Sequence, residues 1–184
     1  MNHASPYVQN TTRPFGTSPL HGSSKTPPFH EGSIHGVVFQ PLKRHGDTRG
    51  WLIELFREDE IEVEHLPRMA YASQTFPGAS RGPHAHRTQT DFFMFFGPGD
   101  FMLYLWDNRP DSPTFGSKRV ALVGESSPRS VVIPPGVVHG YKNISEVPGL
   151  VFNAPDQLYA GSGRSEPVDE IRYEDFPNNL YMMD

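Results

Sequence analysis

The chain has 184 residues with 19 prolines, 17 glycines, no cysteine and a formal net charge of −5. That length suits one domain with an appendage, and such dense punctuation excludes long helices. The acidic balance argues against a nucleic-acid groove, and the missing cysteine excludes disulfides, thiolate ligands and thiol nucleophiles. No stretch reaches membrane-spanning apolar length and no basic-then-apolar leader is present, so a cytoplasmic protein that touches no membrane is expected.

Residues 1–32 are rich in Pro, Ser, Thr, Asn, Gly and His. Such a segment buries too little apolar surface to offset its ordering entropy, so a disordered or loosely docked arm is expected, with His3, His21 and His30 solvated. A single domain is expected over 33–184. His35–Leu42 has strand character, Arg44–Gly50 reads as a turn or loop, and Trp51–Phe56 reads as a strand with Trp51, Ile53 and Leu55 on one face. Arg57–Leu66 is acidic and suits a helical turn stopped by Pro67. Met69–Thr75 is a further strand. Trp51 and Trp106 are expected as core or interface aromatics, and His45 and His65 as solvated loop residues.

The stretch Arg81-Gly-Pro-His-Ala-His86 follows. In a strand, positions i and i+2 share a face, so His84 and His86 aim together at one cavity. Asp91 opens the apolar run Phe92–Phe96 and is placed to enter that cavity from the adjoining strand. Asp100–Asp107 is apolar on both faces and is expected to be sandwiched. Strands are also expected at Val120–Val123, Ser130–Ile133 and Gly149–Asn153, with His139 carried on a turn-then-strand after Pro134-Pro-Gly136. Asp169–Asp175 is expected to add an edge strand or a short helix. Short strands separated by Gly and Pro predict an all-β barrel or sandwich enclosing a ligand-sized cavity. Three imidazoles and a carboxylate converging there would make a metal site or an acid/base site.

Two motifs carry a resemblance. Pro134, Gly136, His139 and Asn143 stand at the spacing Pro-x-Gly-x-x-His-x-x-x-Asn, and His84, His86 and Asp91 match its partner motif. Together they resemble the cupins. This implies a jelly-roll barrel with His84, His86, Asp91 and His139 around one divalent ion such as Fe, Mn, Ni or Zn. The span from Phe39 to Asp175 resembles a narrower family, the dTDP-4-dehydrorhamnose 3,5-epimerases. The likeness lies in Asp47-Thr-Arg-Gly-Trp51 with Glu54, Arg81-Gly-Pro-His84, Ser112-Pro-Thr-Phe-Gly116, Ile133-Pro-Pro-Gly136 and His139-Gly-Tyr141. It implies His84 as general base, Arg49, Glu54 and Arg81 as nucleotide-sugar contacts, His139 in the cavity, and Asp175 as a histidine's partner. The residue set also departs from that family. The tyrosine that serves as its acid falls at Phe152, followed by Asn153 in place of lysine. Ser80–His86 resembles the dTDP-4-keto-6-deoxyglucose 3,4-ketoisomerases, which implies proton shuttling by His84 and His86 with help from Tyr71. Tyr141 and Tyr159 are further candidates for the missing acid.

The expectation is therefore a cupin-fold, isomerase-type enzyme acting on a nucleotide sugar, with no cofactor required. A homodimer is implied by the resemblance alone. The alternatives are a metal-dependent cupin with three histidines and one aspartate, and a non-catalytic sugar-binding cupin. The bland readings are an Arg49–Glu54 cross-strand charge pair and packed tyrosines.

Overall fold

The structure, a computed structural model, describes residues 29–184. The expected arm falls almost wholly outside the described residues, as do His3 and His21. Its last residues do pair, for His30–Glu31 forms strand β1. The others are β2 (Val38–Pro41), β3 (Arg44–Asp47), β4 (Gly50–Ile53), β5 (Tyr71–Thr75), β6 (Ser80–Ala85), β7 (Asp91–Phe95), β8 (Asp100–Asp107), β9 (Ser117–Gly124), β10 (Arg129–Ile133), β11 (Val137–Asn143), β12 (Gly149–Asn153) and β13 (Ile171–Arg172).

Two sheets face each other. One runs β1-β9-β8-β11-β6-β13, the other β2-β10-β7-β12-β5. This is the all-β sandwich that the short, punctuated strands predict, and it fits the cupin fold that the resemblance implies. Alternation along each strand assigns the layers. Phe93 and Phe95 from β7 meet Phe101, Leu103 and Leu105 from β8 and Tyr141 from β11 in the inner core. The alternate residues of β8, Tyr104 and Trp106, form a second cluster with Val138, Ile171, Tyr173 and Tyr181, so the C-terminal segment covers that sheet's outer face. This explains why β8 is apolar on both sides. Phe92 and Met94 face outward on the other sheet, with Phe96, Phe152, Leu42 and Leu55.

The structure corrects several local expectations. Arg44–Asp47 is not a loop but pairs with β4 as an antiparallel hairpin. Trp51 is not a core residue: it is 54% exposed, touching Phe96 edge-on and lying beneath the Arg44 guanidinium. His45 lies exposed on β3. His65 is half-buried, 3.4 Å from Thr90 Oγ1. The acidic segment holds two 3-10 turns, Glu58–Glu60 and Val63–His65. Residues 169–175 supply both a strand, β13, and a 3-10 turn at Tyr173–Asp175. Among the described residues no helix is long and apolar enough to cross a membrane.

Candidate active site

His84 and His139 are cross-strand partners on β6 and β11, and their ring centroids lie 4.3 Å apart. His86, two residues beyond His84, lies on the same side of the sheet, its ring 5.6 Å from that of His84. Asp91 reaches the cluster differently from the expectation. It opens β7, which belongs to the facing sheet, so the carboxylate crosses the sandwich to meet the imidazoles. One ligand-type atom from each of His84, His86, Asp91 and His139 falls within 4.8 Å of all the others.

Close approach of β6 to β11 requires Gly82. Its φ is +79°, and a Cβ there would sit 2.7 Å from the His139 carbonyl oxygen and 2.9 Å from His84 Nδ1. The ladder slips at this point: His139 pairs with His84, yet Tyr141 pairs with Arg81. Two steps on β11 thus match three on β6, a bulge that turns Arg81 toward the same side as His84. The Arg81 guanidinium donates to Thr75 Oγ1 at 3.0 Å and to the Gln74 carbonyl at 2.7 Å.

Hydrogen bonds fix how the imidazoles face the carboxylate. His139 Nδ1 lies 3.0 Å from the Val137 carbonyl, and His86 Nδ1 contacts the Asp169 carbonyl. A carbonyl only accepts, so each Nδ1 carries a proton and each Nε2 is left to face Asp91. His86 Nε2 is 3.1 Å and His139 Nε2 is 3.0 Å from Asp91 Oδ2. Asp91 Oδ1 accepts from Gln89 Nε2 at 2.9 Å and Asn153 Nδ2 at 2.8 Å. The site is buried, and Asp91 Oδ2 and His139 Nε2 lack any hydrogen bond of acceptable geometry among the described residues.

Burial works against charge on all of these groups, and the partners decide the outcome. For Asp91, the penalty of burial is outweighed by His139 and His86, which hold the carboxyl well below its usual range. Burial likewise opposes charge on His86, but Asp91, the Asp169 carbonyl and Glu170 lift it to about 9. Burial and neighbouring His139 push His84 well below the ordinary imidazole range, so it stays neutral. The surroundings thus drive the two imidazoles in opposite directions, His84 toward the neutral form and His86 toward the charged one. A cation also fits, since a divalent ion would satisfy the Oδ2 and Nε2 atoms left without hydrogen bonds.

Tyr71 lies at the start of β5, its Oη 3.0 Å from Asn153 Nδ2. Burial and the Asp91 charge raise its phenol above the ordinary range. Tyr141 is buried, with Oη 3.1 Å from Ser73 Oγ, whereas Tyr159 is exposed. The remaining expected site residues lie elsewhere. Arg49 is exposed and bonded to Asp47, so the Arg49–Glu54 pair does not form, and Glu54 lies 3.9 Å from Arg57. Asp175 is exposed on its 3-10 turn and meets no histidine; Asp91 takes that part, because its strand faces the histidine strands. Phe152 does not face the histidines. It stacks on Phe96 with ring centroids 5.3 Å apart, on the outer surface of its sheet, and Asn153 is the inward residue. Gln89, Asn153 and Asp169 were not among the sequence candidates. A polar Asn at the inward phase of an apolar strand is the one signal that marks Asn153 in advance.

A family profile described as dTDP-4-dehydrorhamnose 3,5-epimerase matches residues 31–172. A probable low-salt glycan biosynthesis epimerase of Haloferax volcanii, Agl13, is 38% identical over 128 residues, 69% of this chain and 81% of that protein. The spore coat polysaccharide biosynthesis protein SpsL of Bacillus subtilis is 39% identical over 115 residues, 62% of this chain and 75% of that protein. Among solved structures, a dTDP sugar isomerase from Desulfovibrio desulfuricans superposes with a TM-score of 0.68 at 23% identity, covering 81% of this chain and 91% of that one. The dTDP-4-dehydrorhamnose 3,5-epimerase of Sulfolobus tokodaii gives 0.63 at 25% identity, covering 82% and 87%.

Proposed function

This chain belongs to the dTDP-4-dehydrorhamnose 3,5-epimerase family and is an isomerase-type enzyme, and from that premise we propose that it moves a proton beside the ketone of a dTDP-4-keto-6-deoxy sugar during polysaccharide or glycan assembly. The carrying observation is the gathering of His84, His86, His139 and Asp91 between the two sheets, with ligand-type atoms within 4.8 Å of one another. A carbon next to a ketone gives up a proton to a neutral imidazole, and the enolate oxygen needs a donor. In this reading His84 takes the proton, His86 and His139 assist, Arg81 supports the developing charge, and Tyr71 returns a proton from the opposite face. Such chemistry draws on no cofactor.

The test is solvent deuterium entering dTDP-4-keto-6-deoxyglucose. His84→Asn, if folded, is expected to lose the exchange by at least ~100-fold. Saturable binding without any exchange in the wild type would leave only a sugar-binding module.

The unsatisfied Asp91 Oδ2 and His139 Nε2 favour a second reading, one divalent ion held by His84, His86, Asp91 and His139. Bound there, it would act as a Lewis acid toward a carbonyl oxygen. About one metal per chain in protein purified without chelator, lost in Asp91→Ala, would support it. A homodimer is part of the proposal: hairpin β3–β4 exposes Trp51 and Leu52, which suit contact with a second copy. Arg49 and Glu54 lie on or beside this hairpin and would meet nucleotide only if such a contact carried them to a site. A cytoplasmic location would suit a nucleotide-sugar substrate.

A further inference from the structure

Asn153 has every polar atom of its amide committed, and the commitments are directional. Its Oδ1 accepts the backbone N–H of Phe92 at 3.0 Å. A backbone N–H can only donate, so this bond decides which end of the amide is oxygen. The Nδ2 group then has two protons to place. One goes to Asp91 Oδ1 at 2.8 Å, the other to Tyr71 Oη at 3.0 Å. Tyr71 is therefore the acceptor in that bond, and its own phenolic proton is not consumed by it. Among the described residues Asn153 is the one hydrogen-bond partner of Tyr71 Oη.

The placement follows from the ladder. Asn153 pairs with Tyr71 on β5 and with Phe93 on β7, so a single side chain touches both neighbouring strands. One of those strands brings the phenol and the other brings the carboxylate. Phe152, the preceding residue, has the opposite phase and packs on Phe96, away from the histidines.

We propose that Asn153 is a positioning residue for proton return, holding Tyr71 so that its phenolic proton stays free for the substrate. The proposal rests on the proton-transfer reading given above. In the step concerned, His84 takes the carbon-bound proton and an enolate forms. Tyr71 gives its O–H proton to that carbon from the other face. The phenolate left behind accepts the Asn153 N–H, which stabilises the developing charge, and is reprotonated by water while His84 releases its proton to water. A lysine or carboxylate at 153 could not donate one proton to each neighbour and accept the Phe92 N–H as well.

The experiment separates the two half-reactions with dTDP-4-keto-6-deoxyglucose in deuterium oxide, following label in recovered substrate and epimerised product by NMR. Tyr71→Phe, Asn153→Asp and Asn153→Ser are compared, with folding checked by circular dichroism. Asn153→Asp keeps the shape but accepts where the amide donates; Asn153→Ser cannot span both partners. Either folded variant decides the matter. Each is expected to keep label exchange within about threefold of wild type and to lose epimerised product at least about tenfold. The double variant Tyr71→Phe/Asn153→Ser should be no worse than Tyr71→Phe alone, since both act on one group. An unchanged product-to-exchange ratio in either folded Asn153 variant, or additive losses in the double variant, would overturn the proposal. Loss of exchange in step with product would make Asn153 merely structural and would also overturn it. A wild type that exchanges no label would instead sink the proton-transfer reading underneath, and this inference with it.

Discussion

His139 Nε2 stands 3.0 Å from Asp91 Oδ2, one residue from each of the two facing sheets. The contact joins the layers at the histidine cluster, and the same oxygen meets His86 at 3.1 Å. Removing the carboxylate leaves two imidazoles and the Gln89 and Asn153 amides without their partner. Breaking one side of a buried ionic cluster costs about 3–5 kcal/mol. Asp91→Ala is expected to lose stability in that range in urea unfolding at pH 6. A loss below about 1 kcal/mol would mean that the cluster is not joined in solution.

The same cluster predicts a pH response. His86 is raised from 6.5 to about 9, so its contribution is complete below the unfolded value and is lost as pH rises through the folded one. Chelator-treated protein should therefore weaken between roughly pH 6.5 and 9, by on the order of 3 kcal/mol from this group. Asp91 is shifted the other way, so its contribution is present above the unfolded carboxyl range and falls away only in acid. His86→Gln should flatten the alkaline limb of the stability profile. An equal decline in that variant would assign the effect elsewhere.

Restoring the hydroxyl at the position where the resemblance places the acid should achieve nothing. Phe152 stacks on Phe96 outside the sandwich, so a tyrosine there would present its hydroxyl away from the histidines. Phe152→Tyr is expected to leave turnover within about twofold and stability within roughly 1 kcal/mol. A tenfold gain would mean that β12 sits in the opposite phase.

The hairpin supplies a prediction about assembly. Leu52 is 65% exposed, and nothing in a single chain rewards that exposure. Leu52→Asp should turn a dimer into a monomer in light scattering, and the monomer's own fold should shift by no more than about 0.5 kcal/mol. An unchanged dimer would place the interface on another face.

How much of this was readable in advance divides along a physical line. Local facts could be read from residue order alone. The two-residue strand period set His84 and His86 on one side, and the doubly apolar Asp100–Asp107 marked a covered strand. Short punctuated strands then gave an all-β sandwich or barrel, and the resemblance carried by the paired histidine motifs implied the cupin fold. Each of these is a property of one segment or of residue types at fixed spacing, so it survives without knowledge of the partners. Packing of the two sheets was needed to bring Asp91 in from the opposite layer and to set His86 against the Asp169 carbonyl rather than Asp175. It also decided that Phe152 turns outward while Asn153 turns in, and that Arg44–Asp47 forms a hairpin. Those outcomes depend on which strands cross between layers and on the phase in which they pair. A one-residue shift of phase moves every side chain to the other face, and that phase is fixed by contacts many residues away.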